Sequence, residues 1–189
     1  METTALFQTL NSIGILSPAL KDRISGMMVE EVVKKRTLIL KQGQVARRIS
    51  FINQGTVRAF YDKGDETFTN WFMSAGDFII SVYSFFSQKP SFETIVALED
   101  CTLLSISWDQ LQDLYKEFPE FNLIGRIITE QYYIRSEERA IDLQTLTATQ
   151  RYEKLIATYP NILQKATLGQ IASYLSIKQE TLSRIRGKR

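Results

Sequence analysis

Residues 167–189, TLGQIASYLSIKQETLSRIRGKR, decide how the rest of the chain is read. Two short helices joined by a tight turn and ending in bare positive charge are the signature of a helix-turn-helix. Thr167 can cap a helix whose third residue is Gln170, and Leu168, Ile171, Ala172 and Leu175 then share one face. The small Ala172 lets a partner helix cross closely. A second helix over Gln179 to Arg186 buries Leu182 and Ile185 and turns Gln179, Glu180, Ser183 and Arg184 outward, where they can reach base edges.

Charge is distributed to suit that reading. From Thr145 onward there are eight lysines and arginines against Glu153 and Glu180, a charge of +6; with +2 for the whole chain, the preceding residues carry −4. A basic end on an acidic body, coinciding with a helix pair, is what attraction to phosphate favours. Arg184 is the expected base reader. Lys178, Lys188 and Arg189 are expected to hold phosphates or flank them.

The middle of the chain has a different period. Between about Val32 and Ser107 lie the runs TLIL, ISFIN, TVRAFY, TFTNWFM, TIVAL and TLLSIS, short and rich in β-branched and aromatic residues. Turn signals separate them at Gln42-Gly43, Gln54-Gly55, Lys63-Gly64-Asp65 and Ala75-Gly76-Asp77. Close, even spacing predicts an antiparallel barrel or jelly-roll-like, cupin-like β-roll. After Trp108 the pattern turns helical, first through Leu111, Leu114 and Tyr115, then from Pro119 to about Leu143.

That long helix has two apolar stripes: Leu123, Ile127, Ile134 and Ile141, and beside them Phe121, Ile124, Ile128 and Tyr132. One stripe can lie on the roll and the other on a second copy, giving a two-fold dimer, with Ile124, Ile127, Ile128 and Ile134 as the expected dimer contacts. A single helix sunk in its own domain is the alternative.

Composition narrows the chemistry. The chain has no histidine and one cysteine, Cys101, which removes the usual general base, the Ser-His-Asp arrangement and the commonest metal ligands. No Gly-rich phosphate loop or nucleophile–base pair is found, so the expectation is a non-enzyme without cofactor or metal. No stretch approaches transmembrane length, and METTALFQTL lacks the basic start and apolar run of a secretory signal, so no membrane partner and a cytoplasmic location are expected.

A glycine-punctuated roll, a long helix and a helix-turn-helix ending in ETLSRI together resemble the Crp/Fnr superfamily of bacterial transcription regulators. The likeness runs from about Ile24 to Arg189 and is carried by GDFI at Gly76–Ile79, ALEDCTLLSIS at Ala97–Ser107, and the Glu180-Thr181-x-Ser183-Arg184 pattern. The last is the most specific, because cyclic-nucleotide-binding rolls also occur in kinases and channels. The resemblance implies that Gln179, Glu180, Ser183 and Arg184 read the major groove, Glu180 accepting from cytosine and Arg184 donating to guanine.

The chain departs from that family where ligand chemistry matters. Cyclic-nucleotide binders follow the GDFI-type stretch with a Gly-Glu pair for the ribose hydroxyl, whereas Ile80 and Ser81 stand here. Where they place an arginine for the cyclic phosphate, this sequence reads KPSFETIVAL, and a carboxylate at Glu93 repels phosphate. Cyclic AMP and cyclic GMP are therefore disfavoured, leaving an unknown small-molecule effector or none. Candidate pocket residues by position are Phe78, Ser81, Tyr83, Phe92, Glu93 and, from the long helix, Ser136; Phe78 and Tyr83 fit ordinary core aromatics as well.

The helix-turn-helix has its own departures. Ser176 stands where the turn usually has glycine, and Lys178 where the second helix usually has a capping Ser or Thr, although Ser176 could cap if that helix starts earlier, with Gln179 completing the box. The sequence reaches Arg189 directly after the second helix, so most or all of a β-hairpin wing is expected to be lacking.

The fold class expected is α+β: an N-terminal antiparallel β-roll of the cyclic-nucleotide-binding type with flanking helices, a long dimerisation helix and a small helical C-terminal domain. Residues 1–118 would form the sensor roll, 119–144 the dimerisation helix and hinge, and 145–189 the DNA-binding domain. The function expected is a homodimeric, sequence-specific transcription regulator of Crp/Fnr type. The alternative is a ligand-sensing or interaction module whose helix-turn-helix no longer binds DNA.

Overall fold

The structure is a computed structural model that describes residues 1–64 and 66–187. Two helices, α1 (Thr4–Asn11) and α2 (Pro18–Met27), precede eight strands that form two four-stranded sheets. One sheet has the order β1 (Val29–Val33), β8 (Cys101–Ser107), β3 (Arg48–Gln54), β6 (Phe78–Ile79). The other runs β2 (Leu38–Leu40), β7 (Glu93–Ala97), β4 (Thr56–Lys63), β5 (Glu66–Ser74). Every pairing is antiparallel.

The six runs read as strands become β2, β3, β4, β5, β7 and β8. Alternation sorts their side chains: Val57 and Ala59 of β4 face the roll interior beside Met73 of β5 and Ile95 of β7. The reversal from β3 into β4 depends on Gly55, which has φ +109°. A Cβ there would stand 2.5 Å from Cys101 Sγ and 2.9 Å from the Asp100 carbonyl oxygen, so no other residue fits. Between β6 and β7 lies a short helix, α3 (Val82–Ser87), with Gln88 left-handed at its end.

After the roll come α4 (Trp108–Glu117) and the 27-residue α5 (Pro119–Thr145). Ser107 and Gln110 form a capping box that starts α4. Gly125 lets the two helices touch, because the Tyr115 ring occupies the place where a Cβ would go.

The two stripes of α5 separate cleanly. Phe121 and Ile124 are buried, Ile128 packs on the roll core, and the Tyr132 hydroxyl meets the Phe78 backbone, accepting from its N–H at 2.8 Å and donating to its carbonyl at 3.1 Å. Leu123, Ile134 and Ile141 are each about half exposed, at 46, 55 and 55%. The dimer contacts expected from sequence need one correction: Ile124 and Ile128 belong to the roll face, since spacings of three and four place them with Phe121 and Tyr132 rather than with Ile127 and Ile134.

Four more helices follow: α6 (Ala148–Thr158), α7 (Ile162–Lys165), α8 (Leu168–Tyr174) and α9 (Gln179–Gly187). They share a second apolar cluster around Tyr152, Leu155, Ile162, Ile171, Leu175 and Leu182, which Phe72 and Leu98 of the roll complete. Polar contacts fix the join. Tyr159 donates to the Phe72 carbonyl at 2.6 Å, the Thr69 N–H donates to Ser173 Oγ at 2.8 Å, and Ser173 donates to the Thr67 carbonyl at 3.0 Å. Lys165 bridges Glu99 at 2.6 Å.

Replacing Ile124, 1% exposed, with Ala removes three methyl-sized groups from the wall between α5 and the roll. Denaturant unfolding of the variant should show a loss of about 2–5 kcal/mol; a change below about 1 kcal/mol would mean that the α5 face is not part of the core.

Candidate nucleic-acid interface and sensor cavity

The helix pair α8–α9 is built as its sequence dictates. Thr167 and Gln170 form a reciprocal capping box, Gln170 N–H donating to the Thr167 hydroxyl at 3.3 Å and the Thr167 N–H to Gln170 Oε1 at 2.9 Å. Ile171, Ala172 and Leu175 are buried and Leu168 packs beside them. Gly169 lies 3.4 Å, measured from an added Cβ, from Gln179 Oε1, so the helices cross closely at both small residues.

The turn closes as a Schellman motif: Ile177 N–H donates to the Ala172 carbonyl and Ser176 N–H to the Ser173 carbonyl, with Ser176 left-handed at φ +53°. Ser176 thus ends α8 and does not cap α9, which corrects the second option read from sequence. Lys178 stands immediately before α9, its carbonyl accepting from Thr181 and Leu182.

Leu182 is fully buried and Ile185 packs beside it, while Lys178, Gln179, Glu180, Ser183 and Arg184 are all exposed on α9 and its approach. Arg184 donates to the Thr181 hydroxyl at 3.3 Å. The outward row is exposed, polar and flanked by Arg186. Lys188 and Arg189, expected as phosphate holders, lie outside the described residues.

The roll encloses a cavity of about 260 Å³ closed on one side by α5. Its walls are mostly apolar, with Trp71, Phe78, Ile80, Phe86 and Ile128 among them; Glu93 and Arg135 are the charged residues described at its edge, and Thr129, Ser136 and three tyrosines add hydroxyls. Of the six pocket residues expected from sequence, Phe78, Glu93 and Ser136 line it. Ser81 does not: its hydroxyl shares a hydrogen with Ser91 Oγ at 3.0 Å, and it borders a separate space between the sheets beside Arg47 and Arg48.

Tyr83 and Phe92 also fall outside the cavity, half exposed and stacked on each other at 4.6 Å between centroids. The cause is α3. Once residues 82–87 are helical, Val82 and Phe86, four apart, face the cavity mouth and Tyr83 turns away. Tyr83 is accordingly no core aromatic, whereas Phe78 is, edge-on to Phe51 at 5.2 Å. The period in VYSFFS carries that signal, hidden among strand-forming aromatics.

Between cavity and helix pair lies a junction that sequence reading missed. Arg135 of α5 donates to Asp77 at 2.9 Å and to the Tyr159 hydroxyl at 3.3 Å. One turn on, Arg139 lies 3.8 Å over the Tyr174 ring and donates to the Tyr174 carbonyl at 2.9 Å. Arg151 donates to the carbonyls of Leu175 and Leu146, at 3.0 and 2.7 Å, tying α6 to the α8 terminus and the end of α5. Burial, with the Asp77 charge added, pushes the Tyr132 hydroxyl up to about 12, so it stays protonated beside Phe78. The spacing Tyr132, Arg135, Arg139 was the available signal, one face of one helix.

Glu93 is buried at 9% exposure, and burial raises its carboxyl above the ordinary value against hydrogen bonds from Ser81 and Asn70. Its closest donor at a measured distance is Asn70 Nδ2, at 3.5 Å.

Residues 30–118 match the cyclic nucleotide-binding domain family. The chain is 27% identical over 173 residues to the anaerobic regulatory proteins of Aggregatibacter actinomycetemcomitans and Haemophilus influenzae, a match covering 82% of this chain and 65% of theirs. The chain thus spans just under two thirds of the length of these curated relatives. Among solved structures, the c-di-GMP-responsive global regulator CLP of Xanthomonas campestris superposes with TM-score 0.71 at 15% identity, over 91% of each chain. FixK2 of Bradyrhizobium japonicum does so with TM-score 0.71 at 18% identity, over 85% of this chain and 83% of its own. No helix among the described residues is long and apolar enough to cross a membrane.

A carboxyl whose pKa is raised on folding contributes stability that is present below its ordinary value, 4.5, and lost as pH rises through the higher folded value. Glu93→Gln should therefore match the wild type in unfolding free energy at acid pH and exceed it near neutrality. A variant less stable at both pH values would show that the Glu93 carboxylate is not desolvated.

Proposed function

We propose that the chain, whose residues 30–118 match the cyclic nucleotide-binding domain family and which is similar to anaerobic regulatory proteins, is a homodimeric, sequence-specific DNA-binding transcription regulator of Crp/Fnr type acting in the cytoplasm. The observation that carries the reading is the exposed polar face of α9. Gln179, Glu180, Ser183 and Arg184 stand outward on a helix whose other side is anchored by Leu182. Exposed donors and acceptors on a supported helix of this kind match the edges of bases in the major groove.

Dimerisation follows from α5. Ile127, Ile134 and Ile141 recur every seven residues, Leu123 stands one turn before them, and among the described residues Leu123, Ile134 and Ile141 are about half exposed while Ile127 is partly so. Seven-residue spacing keeps a seam facing a second copy of itself, and a two-fold axis along it would present two α9 helices to successive major grooves, about 34 Å apart. The relatives named for anaerobic regulation support the regulator class. A cyclic-nucleotide effector is not proposed for this chain, because Ile80, Ser81 and Glu93 stand where cyclic-nucleotide contacts are expected.

Selection of bound sequences from a random duplex pool, followed by fluorescence anisotropy on the enriched site, tests the proposal. A two-fold symmetric motif should emerge. Arg184→Ala should cost about 1–3 kcal/mol on that motif and relax preference at one base pair. An affinity lost equally on motif and random DNA would remove α9 from the reading role.

Replacing both Ile127 and Ile134 with Glu should give a monomer in sedimentation that binds the motif far more weakly. A wild type that is monomeric at micromolar concentration, or a double variant that stays dimeric, would rule out the α5 seam.

A further inference from the structure

The cavity behind α5 is bordered by a buried carboxylate that has no cation bonded to it among the described residues. Glu93 lies on β7 with its backbone held in place: its N–H donates to Ser91 Oγ at 3.0 Å and its carbonyl accepts from the same hydroxyl at 2.9 Å. Its side chain borders the cavity. Among the described residues, no lysine or arginine comes within ion-pair distance of that carboxylate; its hydrogen bonds come from the neutral side chains of Ser81 and Asn70, the latter at 3.5 Å. Neutral donors of this kind leave a buried negative charge without a counter-ion.

The one cation that borders the same space among the described residues, Arg135, is committed elsewhere. It donates to Asp77 and to Tyr159, and its guanidinium lies 5.3 Å from the Tyr132 ring centroid. The rest of the wall is aromatic and aliphatic. An engineered cavity of roughly 150 Å³ with such a lining takes benzene, so about 260 Å³ suits a ring with a short chain attached. A phosphate ester would place negative charge against Glu93 in a space without a free cation among the described residues.

Building on the reading of the roll as a sensor, we propose that this cavity binds a compact, mainly apolar molecule bearing an amino head, with the amine donating to the Glu93 carboxylate and the body lying among Trp71, Phe78, Phe86 and Ile128. Two features make the fit. The apolar walls reward burial of the body without regard to orientation, and the one carboxylate among the described lining residues fixes which end an amine turns to it. Val82 and Phe86 of α3 border the mouth and are half exposed, so a filled cavity would cover them.

The test uses one apolar body with three heads: 4-phenylbutylamine, 4-phenylbutanol and 4-phenylbutyrate, titrated calorimetrically into the full chain in the absence of DNA, with cyclic AMP as a fourth titrant. The amine should bind about tenfold or more tightly than the alcohol, and the carboxylate and cyclic AMP more weakly than either. Glu93→Gln, close to isosteric, should bring amine and alcohol to within about threefold, with its unfolding transition retained. Filling the apolar end by Ile128→Trp should weaken amine and alcohol together, leaving their ratio unchanged. Equal affinity for the amine and alcohol in the wild type, tighter binding of the carboxylate or cyclic AMP, or no heat from the amine at millimolar concentration would each overturn the proposal. None of these results bears on DNA binding, which anisotropy on the selected motif measures separately.

Discussion

Phe72 is the residue on which both halves of the molecule depend. It stands on the outer face of β5, where a strand side chain would ordinarily meet water, yet it is fully buried. Tyr159 and Tyr174 cover it, with ring centroids 6.4 and 5.1 Å away, and the Tyr159 hydroxyl bonds its carbonyl. The reason is size. A helical unit of about 40 residues buries too little apolar surface to be secure alone, and this one completes its core with Phe72 and Leu98. The helix-turn-helix is thus not suspended from the roll by a linker; it uses the roll as one of its walls.

The long helix α5 adds a second path between the same two units. Its roll-side stripe closes the cavity, its Tyr132 binds the backbone at Phe78, and its Arg135 and Arg139 reach Asp77, Tyr159 and Tyr174. A shift of α5 against the roll would therefore be felt at α6 and α8 through charged and cation–π contacts as well as through packing. Coupling in the thermodynamic sense requires that an occupant of the cavity favour one placement of α5 over another. Ile128, Tyr132, Arg135 and Ser136 border the cavity from α5 itself, so an occupant has direct contact with the moving part.

Much of this was legible in the chain because the relevant signals are local. Six strands announced themselves by β-branched runs between glycines, α5 by 27 residues without an internal proline, and the helix pair by the Thr167–Gln170 box. The two stripes of α5 were readable as well, although assigning Ile124 and Ile128 to the seam confused adjacent faces about a third of a turn apart. What escaped was tertiary. Nothing local says that Tyr159 will find the Phe72 carbonyl 87 residues away, or that Glu93 will face an apolar space while Phe92 faces water. The helix α3 was missed because VYSFFS has strand-like composition, and its presence displaced Tyr83 from the cavity. Ser176 shows the opposite case: a position where glycine was expected adopts the left-handed turn regardless, since two backbone hydrogen bonds of the Schellman motif offset a strain of about 1–2 kcal/mol.

Two ionisable groups are buried on the same sheet with no opposite charge bonded to them among the described residues. Glu93 borders the inner cavity, and Arg58, in register with Phe72, is buried with its guanidinium held by the hydroxyls of Thr69 and Thr67 at 2.8 and 2.9 Å and stacked 4.2 Å over Phe60. Burial lowers Arg58 to about 10, against a rise from Asp62. A core selected for stability alone would replace both with apolar residues, because unpaired buried charge costs more than its hydrogen bonds return. Their positions give the cost a structural meaning. Thr67 and Thr69, which hold Arg58 through their side chains, meet Ser173 of α8 through their backbones, so the buried arginine sits under the docked helix-turn-helix just as Glu93 sits beside the cavity. Local rules of burial are broken at the two surfaces where the roll meets something other than itself, the interior space on one side and the C-terminal helical unit on the other, and departures of this kind concentrate where function opposes stability.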